Sequence, residues 1–236
     1  MEKDSTVWEE DRIRFVGFMD VMGFKDMIAR KSHDEVKQML LQMSYMKDIL
    51  QKVVVSPFED RRNNKREQRI RSVTFSDSVL FVTRDDSFDD LFTLATVLAI
   101  FQEAAIQRGA PTKGAISVGK LTANFDKSIF FGQPLIDAYQ LQDEVFYYGV
   151  ILDNKVESKI IEGLRNKQLN KELIESHFIK LQTPLKSGKI NHYNIKLDSL
   201  TEDQLEDMYK GVSGSVRKYV DNTIEMYELM QKKKKA

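Results

Sequence analysis

Apolar and polar residues follow two different periods along the chain, and the changes of period divide it into elements. A short apolar run from Ile13 to Asp20 reads as a strand ending on a carboxylate, and Val21-Met22-Gly23-Phe24 follows at once as a turn that opens a helix. Ser32 with Glu35 three residues on is a capping-box signature. Val36, Met39, Leu40, Met43, Met46, Ile49 and Leu50 then recur at helical spacing, which predicts one helix from His33 to Lys52. Ser56 to Arg71, with Pro57, Asn63, Asn64 and six basic side chains between Arg61 and Arg71, has the composition of a solvated loop running into a strand. Ile70 to Phe75 and Val79 to Thr83 read as strands joined by the tight turn Ser76-Asp77-Ser78, a hairpin with an acid at its tip.

The periodicity then lengthens. Leu91, Leu94, Ala95, Leu98, Phe101 and Ala105 mark a helix from Phe88 to Gln107, stopped by Gly109-Ala110-Pro111. Lys113 to Leu121 reads as a strand whose small residues permit close backbone approach. A short strand at Ile129 to Phe131 leads through Gly132-Gln133-Pro134 into a helix from Leu135 to Glu144, and Gly149 to Leu152 is another strand. The order β-α-β-β-α-β specifies an α+β fold of the ferredoxin-like palm type, an antiparallel sheet backed by helices. A doubly wound parallel sheet would need a helix between Phe75 and Val79, where none fits. Phe178 to Leu181 and His192 to Leu197 add C-terminal strands, and Leu205, Met208, Val212, Val216, Tyr219, Thr223, Met226 and Met230 follow a near-heptad spacing that predicts a C-terminal helical arm. Residues 1–200 are therefore expected to form one domain, and residues 201–236 a helical extension packed on it or on a dimer partner. The lysines from Lys232 to Lys235 read as its solvated end.

Composition narrows the chemistry. Basic and acidic side chains balance at 36 each, so no global field recruits nucleic acid or anionic lipid, and the basic cluster ending at Arg71 is read as solvated rather than nucleic-acid binding. The absence of cysteine excludes disulfides, thiolate nucleophiles and zinc fingers, and His33, His177 and His192 lack the spacing of a helical zinc site. The charged stretch Met1 to Arg14 is unlike a signal peptide and no apolar run reaches membrane-span length, which leads us to expect a cytoplasmic protein with no membrane partner.

Two carboxylates remain as the carriers of chemistry. In a palm sheet the strand ending at Asp20 lies beside the hairpin tipped by Asp77. Paired carboxylates at a sheet edge are the oxygen ligands Mg²⁺ or Mn²⁺ prefers when it also grips phosphate oxygens. Two such ions about 3.5–4 Å apart activate an attacking oxygen and steady a leaving one. The backbone amides of Met22, Gly23, Phe24 and Lys25, opening a helix, are expected to face the phosphates. Taken singly, either aspartate reads equally well as a turn or capping residue.

The segment Phe18-Met19-Asp20-Val21-Met22-Gly23-Phe24 resembles the first-strand motif of class III adenylate and guanylate cyclases, and Val73-Thr74-Phe75-Ser76-Asp77-Ser78 resembles their hairpin motif, with Ser76 where glycine usually stands. Lys113 to Gly119 and Phe131 to Tyr139 are similar to the strand after the long helix and to the start of the catalytic helix, so the resemblance spans Phe15 to Leu197. It implies nucleotide cyclisation with two Mg²⁺ or Mn²⁺ ions per active site, held by Asp20, Asp77 and the Val21 carbonyl. It further implies that Lys186 binds phosphate and that a homodimer forms, with active sites between its subunits. The chain departs from the purine enzymes at the positions of their base readers, Arg71 and Ile129, and of their transition-state asparagine and arginine, Ile136 and Gln140. An aliphatic side chain at a base-reading position cannot hydrogen-bond a base.

The Ser-Asp-Ser hairpin, the Gly-Ala-Ile-Ser strand and the Pro-Leu-Ile-x-Ala-Tyr helix are in turn similar to the bacterial Pycsar pyrimidine cyclases of anti-phage defence. That similarity implies a substrate of UTP or CTP, with UTP favoured, and a separate effector protein that responds to the cyclic nucleotide rather than to direct contact. Arg71 then reads a pyrimidine carbonyl or merely extends the basic loop, and Asp137 and Gln140 touch ribose or base or are exposed helix residues. The alternatives are a purine cyclase with an atypical pocket and a catalytically silent nucleotide-binding domain.

Overall fold

The computed structural model describes residues 8–54, 68–210 and 212–234. The expected loop at 56–67, with its arginines from Arg61 to Arg66, and the terminal Lys235 lie outside them.

Strand β1 (Asp11–Val21) leads into a short helix α1 (Phe24–Arg30) and the long helix α2 (His33–Val53). The capping box sets the start of α2: Ser32 Oγ accepts from the Glu35 amide at 3.3 Å and Glu35 Oε2 accepts from the Ser32 amide at 2.8 Å. Strands β2 (Ile70–Phe75) and β3 (Ser78–Thr83) form the hairpin, α3 (Phe88–Gln107) follows, and β4 (Thr112–Asn124) returns through the sheet. This unit has the sheet order β2-β3-β1-β4, all antiparallel, which is the expected ferredoxin-like arrangement.

Helix α3 buries Leu91, Leu94, Leu98 and Phe101 against Phe15, Met19 and Phe81 on one face of the sheet, in a cluster that also takes Met43 and Leu50 of α2. Area removed from water there is worth roughly 25 cal/mol per Å². The small residues of β4 act as expected: a Cβ added at Gly114 would lie 2.6 Å from the Phe18 carbonyl oxygen, so the pairing of β4 with β1 needs glycine there.

Strand β5 (Ile129–Phe131) pairs with β4, helix α4 (Gln133–Glu144) covers the opposite face, and β6 (Val150–Leu152) adds to β4 in parallel. Pro134 stands in the first turn of α4, where its missing N–H costs nothing, so the helix starts two residues before the predicted Leu135. Helices α5 (Asn154–Arg165) and α6 (Lys171–His177) were not expected; α5 is capped by Asp153, whose carboxylate accepts from the Val156 amide at 2.8 Å. Strands β7 (Phe178–Leu185) and β8 (Gly188–Ile195) complete the sheet beside β6.

The expected single C-terminal arm is instead broken into α7 (Glu202–Asp207), a 3-10 turn (Gly214–Val216) and α8 (Arg217–Lys234). Gly214 sits at φ +60, a conformation that interrupts the helical run. Val220, Met226 and Met230 of α8 are buried with Tyr147, Tyr148, Ile179 and Leu181 in a second apolar cluster. No described helix is long and apolar enough to cross a membrane.

Candidate functional site

Strand β1 is the middle of the palm, and Asp20, its penultimate residue, stands opposite Ser78 of β3 on one side and Lys113 of β4 on the other. Asp77 occupies the two-residue turn between β2 and β3. Its carbonyl accepts from the Val21 amide at 3.0 Å, which draws the hairpin tip onto the end of β1. Ser76, beside it, adopts φ +56, the left-handed region that explains why glycine suits this position. The two acids, remote in sequence, thus meet at one sheet edge.

The electrostatics of this edge are unbalanced. Burial raises the Asp20 carboxyl above its ordinary value; the hydrogen bond from Ser78 Oγ at 2.9 Å opposes this, and the negative charge of Asp77 adds to it. A bound cation would reverse both unfavourable contributions. No cluster of three or more histidine and carboxylate side chains exists among the described residues. Two carboxylates are nonetheless the protein share expected for Mg²⁺, which keeps waters and takes its other ligands from substrate phosphates. The donor set of Asp20, Asp77 and the Val21 carbonyl therefore fits such ions.

At the turn after β1, Gly23 is the N-cap of α1 at φ +72 and Met27 closes the first helical bond onto its carbonyl. The Met22 amide donates to the Pro111 carbonyl at 2.8 Å, so it is already satisfied and the expectation that it faces phosphate is corrected. Gly23, Phe24 and Lys25 remain at the start of α1. A cleft of about 560 Å³ opens beside them, walled by Met22, Gly23, Met27, Tyr148, Met208 and Tyr219.

Lys186 lies at the β7–β8 turn. Backbone bonds from the Lys186 amide to Glu144 O at 2.8 Å and from the Phe146 amide to Pro184 O at 3.0 Å fasten this turn to the end of α4. Its ammonium donates to Asp143 Oδ2 at 2.9 Å, a contact that raises its pKa. Lys113, only 3% exposed, donates to the carbonyls of Asp143 at 2.9 Å and Val145 at 3.3 Å, holding the C-terminus of α4 against the strand beside Asp20. Burial, with the charge of Lys186, pushes Lys113 down to about 8. Tyr219 of α8 places its ring 5.8 Å from the Lys113 ammonium. Sequence reasoning missed Lys113, Asp143 and Tyr219. Lys113 had one signal, a charge at the head of the small apolar run Gly114-Ala115-Ile116, whereas the partnership of Asp143 with Lys186 had none.

The remaining sequence candidates are placed differently. Asp137 is held by Gln133 at 2.7 Å and by Lys155 of α5 at 2.5 Å, so it serves an ion pair between helices in this conformation. Gln140 is exposed on α4. Arg71 stacks on aromatic faces, 4.5 Å from the Phe125 centroid and 5.3 Å from that of Trp8, rather than running on into a solvated loop. Phe75, two strands from Asp20 on the same sheet face, is 82% exposed, and Tyr139 stands edge-on to Phe18 with 57% exposure.

No family model matches the sequence, and a search of curated proteins gives no match. Solved structures do match. The guanylate cyclase domain of RhGC from Catenaria anguillulae in complex with GTP has a TM-score of 0.50 at 14% identity, covering 81% of this chain and all of that one. The catalytic core of a rhodopsin-guanylyl cyclase with converted specificity in complex with ATPalphaS gives 0.47 at 14%, covering 79% and 98%. A bacterial light-regulated adenylyl cyclase gives 0.46 at 12%, covering 79% and 91%. The architecture is thus the α+β palm fold of class III cyclase domains.

Proposed function

We propose that this chain is a nucleotide cyclase that converts UTP, or else CTP, to its 3′,5′-cyclic monophosphate and diphosphate. The observation that carries the reading is the meeting of Asp20 and Asp77 at the edge of a palm sheet, joined through the Val21 amide. Asp20, Asp77 and the Val21 carbonyl would hold a pair of Mg²⁺ or Mn²⁺ ions, whose chemistry would be to make the ribose 3′-hydroxyl more acidic and to offset charge on the departing diphosphate. The 3′-oxygen gives its proton to solvent and bonds to the α-phosphorus, while the bond from that phosphorus to the bridging oxygen of the β-phosphate breaks and diphosphate leaves with that electron pair.

The residues of this chain supply the rest. Asp20 and Asp77 hold the reacting region, Gly23 to Lys25 present the start of α1 to the phosphates, and Lys186 stabilises negative charge as it grows on the leaving group. Preference for a pyrimidine follows from the resemblance in the motifs and from Ile129, which is half-exposed and has no hydrogen-bonding group for a purine edge. A role as the messenger source of an anti-phage system rests on the same resemblance. The exposed Phe75 and Tyr139 beside the acidic edge support assembly of a homodimer across that face.

One observation favours a purine as the second reading: the matching guanylate cyclase domain was solved with GTP. Incubating the protein with each of ATP, GTP, CTP and UTP plus Mn²⁺, with mass-spectrometric product identification, separates the readings. Cyclic UMP or cyclic CMP is expected. Dominant cyclic AMP or cyclic GMP would replace the pyrimidine assignment, and no cyclic product from any of the four would dismiss the enzyme.

A further inference from the structure

Lys186 projects from a hairpin turn on four rotatable carbons and is 42% exposed at its side chain. A free lysine loses rotamer freedom when it is fixed on a phosphate, a cost met at each turnover. The backbone around it is already fixed: the turn is bonded to the end of α4 on both sides, and Val145 bridges Leu185. Only the side chain needs a guide.

We propose that Asp143 is the positioning residue for Lys186, holding its ammonium on the side of the site that faces the Asp20 edge. This deepens the cyclase reading and rests on it for the role of Lys186. Asp143 Oδ2 accepts from Lys186 at 2.9 Å, while Oδ1 lies 3.9 Å from the Lys113 ammonium, so one carboxylate bridges two cations. Lys113 is buried in β4 opposite Asp20 and also binds the Asp143 carbonyl. The resulting chain of contacts runs from the strand beside the acidic pair, through a buried lysine and the last turn of α4, to the phosphate-binding lysine. Glu144 and Tyr219 are the other titratable groups around Lys186, and Asp20 and Glu144 are those around Lys113. With side-chain exposures of 42% and 60%, the Lys186–Asp143 pair adds little to stability, because solvent screens it. Its consequence is positional.

A double-mutant cycle tests this. Asp143→Asn alone is expected to lower kcat about tenfold with KM changed less than about twofold, because the charge Lys186 meets is greatest in the transition state. Asp143→Glu should recover most of the loss, and melting temperatures should stay within about 2 °C. In a Lys186→Ala background, itself expected to lose roughly 100-fold or more, Asp143→Asn should have no further effect. Full additivity of the two losses would overturn the proposal. An unchanged kcat in Lys186→Ala would overturn the role of Lys186 on which it depends. A measurement independent of turnover is the NMR signal of ¹³C-dimethylated lysines, in which the resonance missing from Lys186→Arg should be displaced in Asp143→Asn. If that resonance does not move, the contact does not hold Lys186 in solution and the proposal fails even should the chain cyclise nothing.

Discussion

Each end of the β2–β3 hairpin packs beside a carboxylate, buried Asp90 of α3 at the open end and half-buried Asp20 of β1 at the tip, and the two are treated in opposite ways. At the open end Asp90, fully buried, accepts from Arg69 at 3.0 Å and from the Asp85 amide at 2.7 Å, and Arg69 reaches on to Asp89 at 3.1 Å. At the tip Asp20 accepts from neutral Ser78 and has a second acid, Asp77, as its neighbour, and the Lys113 charge opposite offsets only part of this. Burial raises both carboxyls, Asp90 to about 6. The first cluster is closed by its own guanidinium and the Asp85 amide. The second is left short of positive charge at a sheet edge, as a site for cations must be before they arrive.

The contrast predicts opposite consequences for substitutions that look alike. The largest effect belongs to the tip: Asp20→Asn and Asp77→Asn should each cut cyclase turnover by about 1,000-fold or more while circular dichroism and solubility stay unchanged. Next comes the open end. Asp90→Ala removes the buried one of the two carboxylates that pair with Arg69 and leaves the Asp85 amide without its acceptor, and should lower unfolding free energy by about 3 kcal/mol in denaturant titration, with turnover per folded molecule preserved. Equal loss of turnover in both places would erase the distinction.

A smaller effect sharpens it. The folded Asp20 carboxyl lies above its ordinary value of 3.8, so the folded state holds the proton longer than the unfolded chain. Ionised Asp20 therefore weakens the metal-free fold, increasingly as pH rises from that ordinary value through the folded one. Asp20→Asn should raise the melting temperature of the metal-free protein at pH 7, and the gain should vanish as pH falls below 4. A lower melting temperature at pH 7 would mean that the carboxylate is a structural anchor. The smallest effect is at the turn: Gly23 is at φ +72 with nothing within 4 Å of an added Cβ, so Gly23→Ala meets only backbone strain and should cost about 1 kcal/mol in the same titration.

Much of this arrangement is legible in the sequence because local signals carry it. The Ser32 capping box and the apolar period place α2 at His33–Val53, one residue past the expected end, and α3 spans Phe88–Gln107 as its period predicts. The hairpin follows from turn chemistry, and the antiparallel palm from the lack of room for a helix between Phe75 and Ser78. Other features depend on tertiary contacts. Helix α5 is an exception, because Val156, Ile160 and Leu164 recur at helical spacing behind the Asp153 cap and mark it locally, although it was not expected. The near-heptad after Thr201 reads as continuous although Ser213-Gly214 breaks it. Within the site, the Asp20 and Asp77 motifs stand out as acids ending apolar runs. The engagement of the Met22 amide by Pro111, the pairing of Asp137 with Lys155 and the bridge of Asp143 between two lysines join residues whose order in sequence gives no hint of contact.

The claim that Asp20 and Asp77 jointly hold the reactive cations is met most directly by Mn²⁺ titration, read by electron paramagnetic resonance, with a non-cyclisable nucleoside triphosphate analogue bound. The account predicts two Mn²⁺ per active site in the wild-type protein and loss of at least one in both Asp20→Asn and Asp77→Asn. Wild-type stoichiometry and affinity in both variants would contradict it.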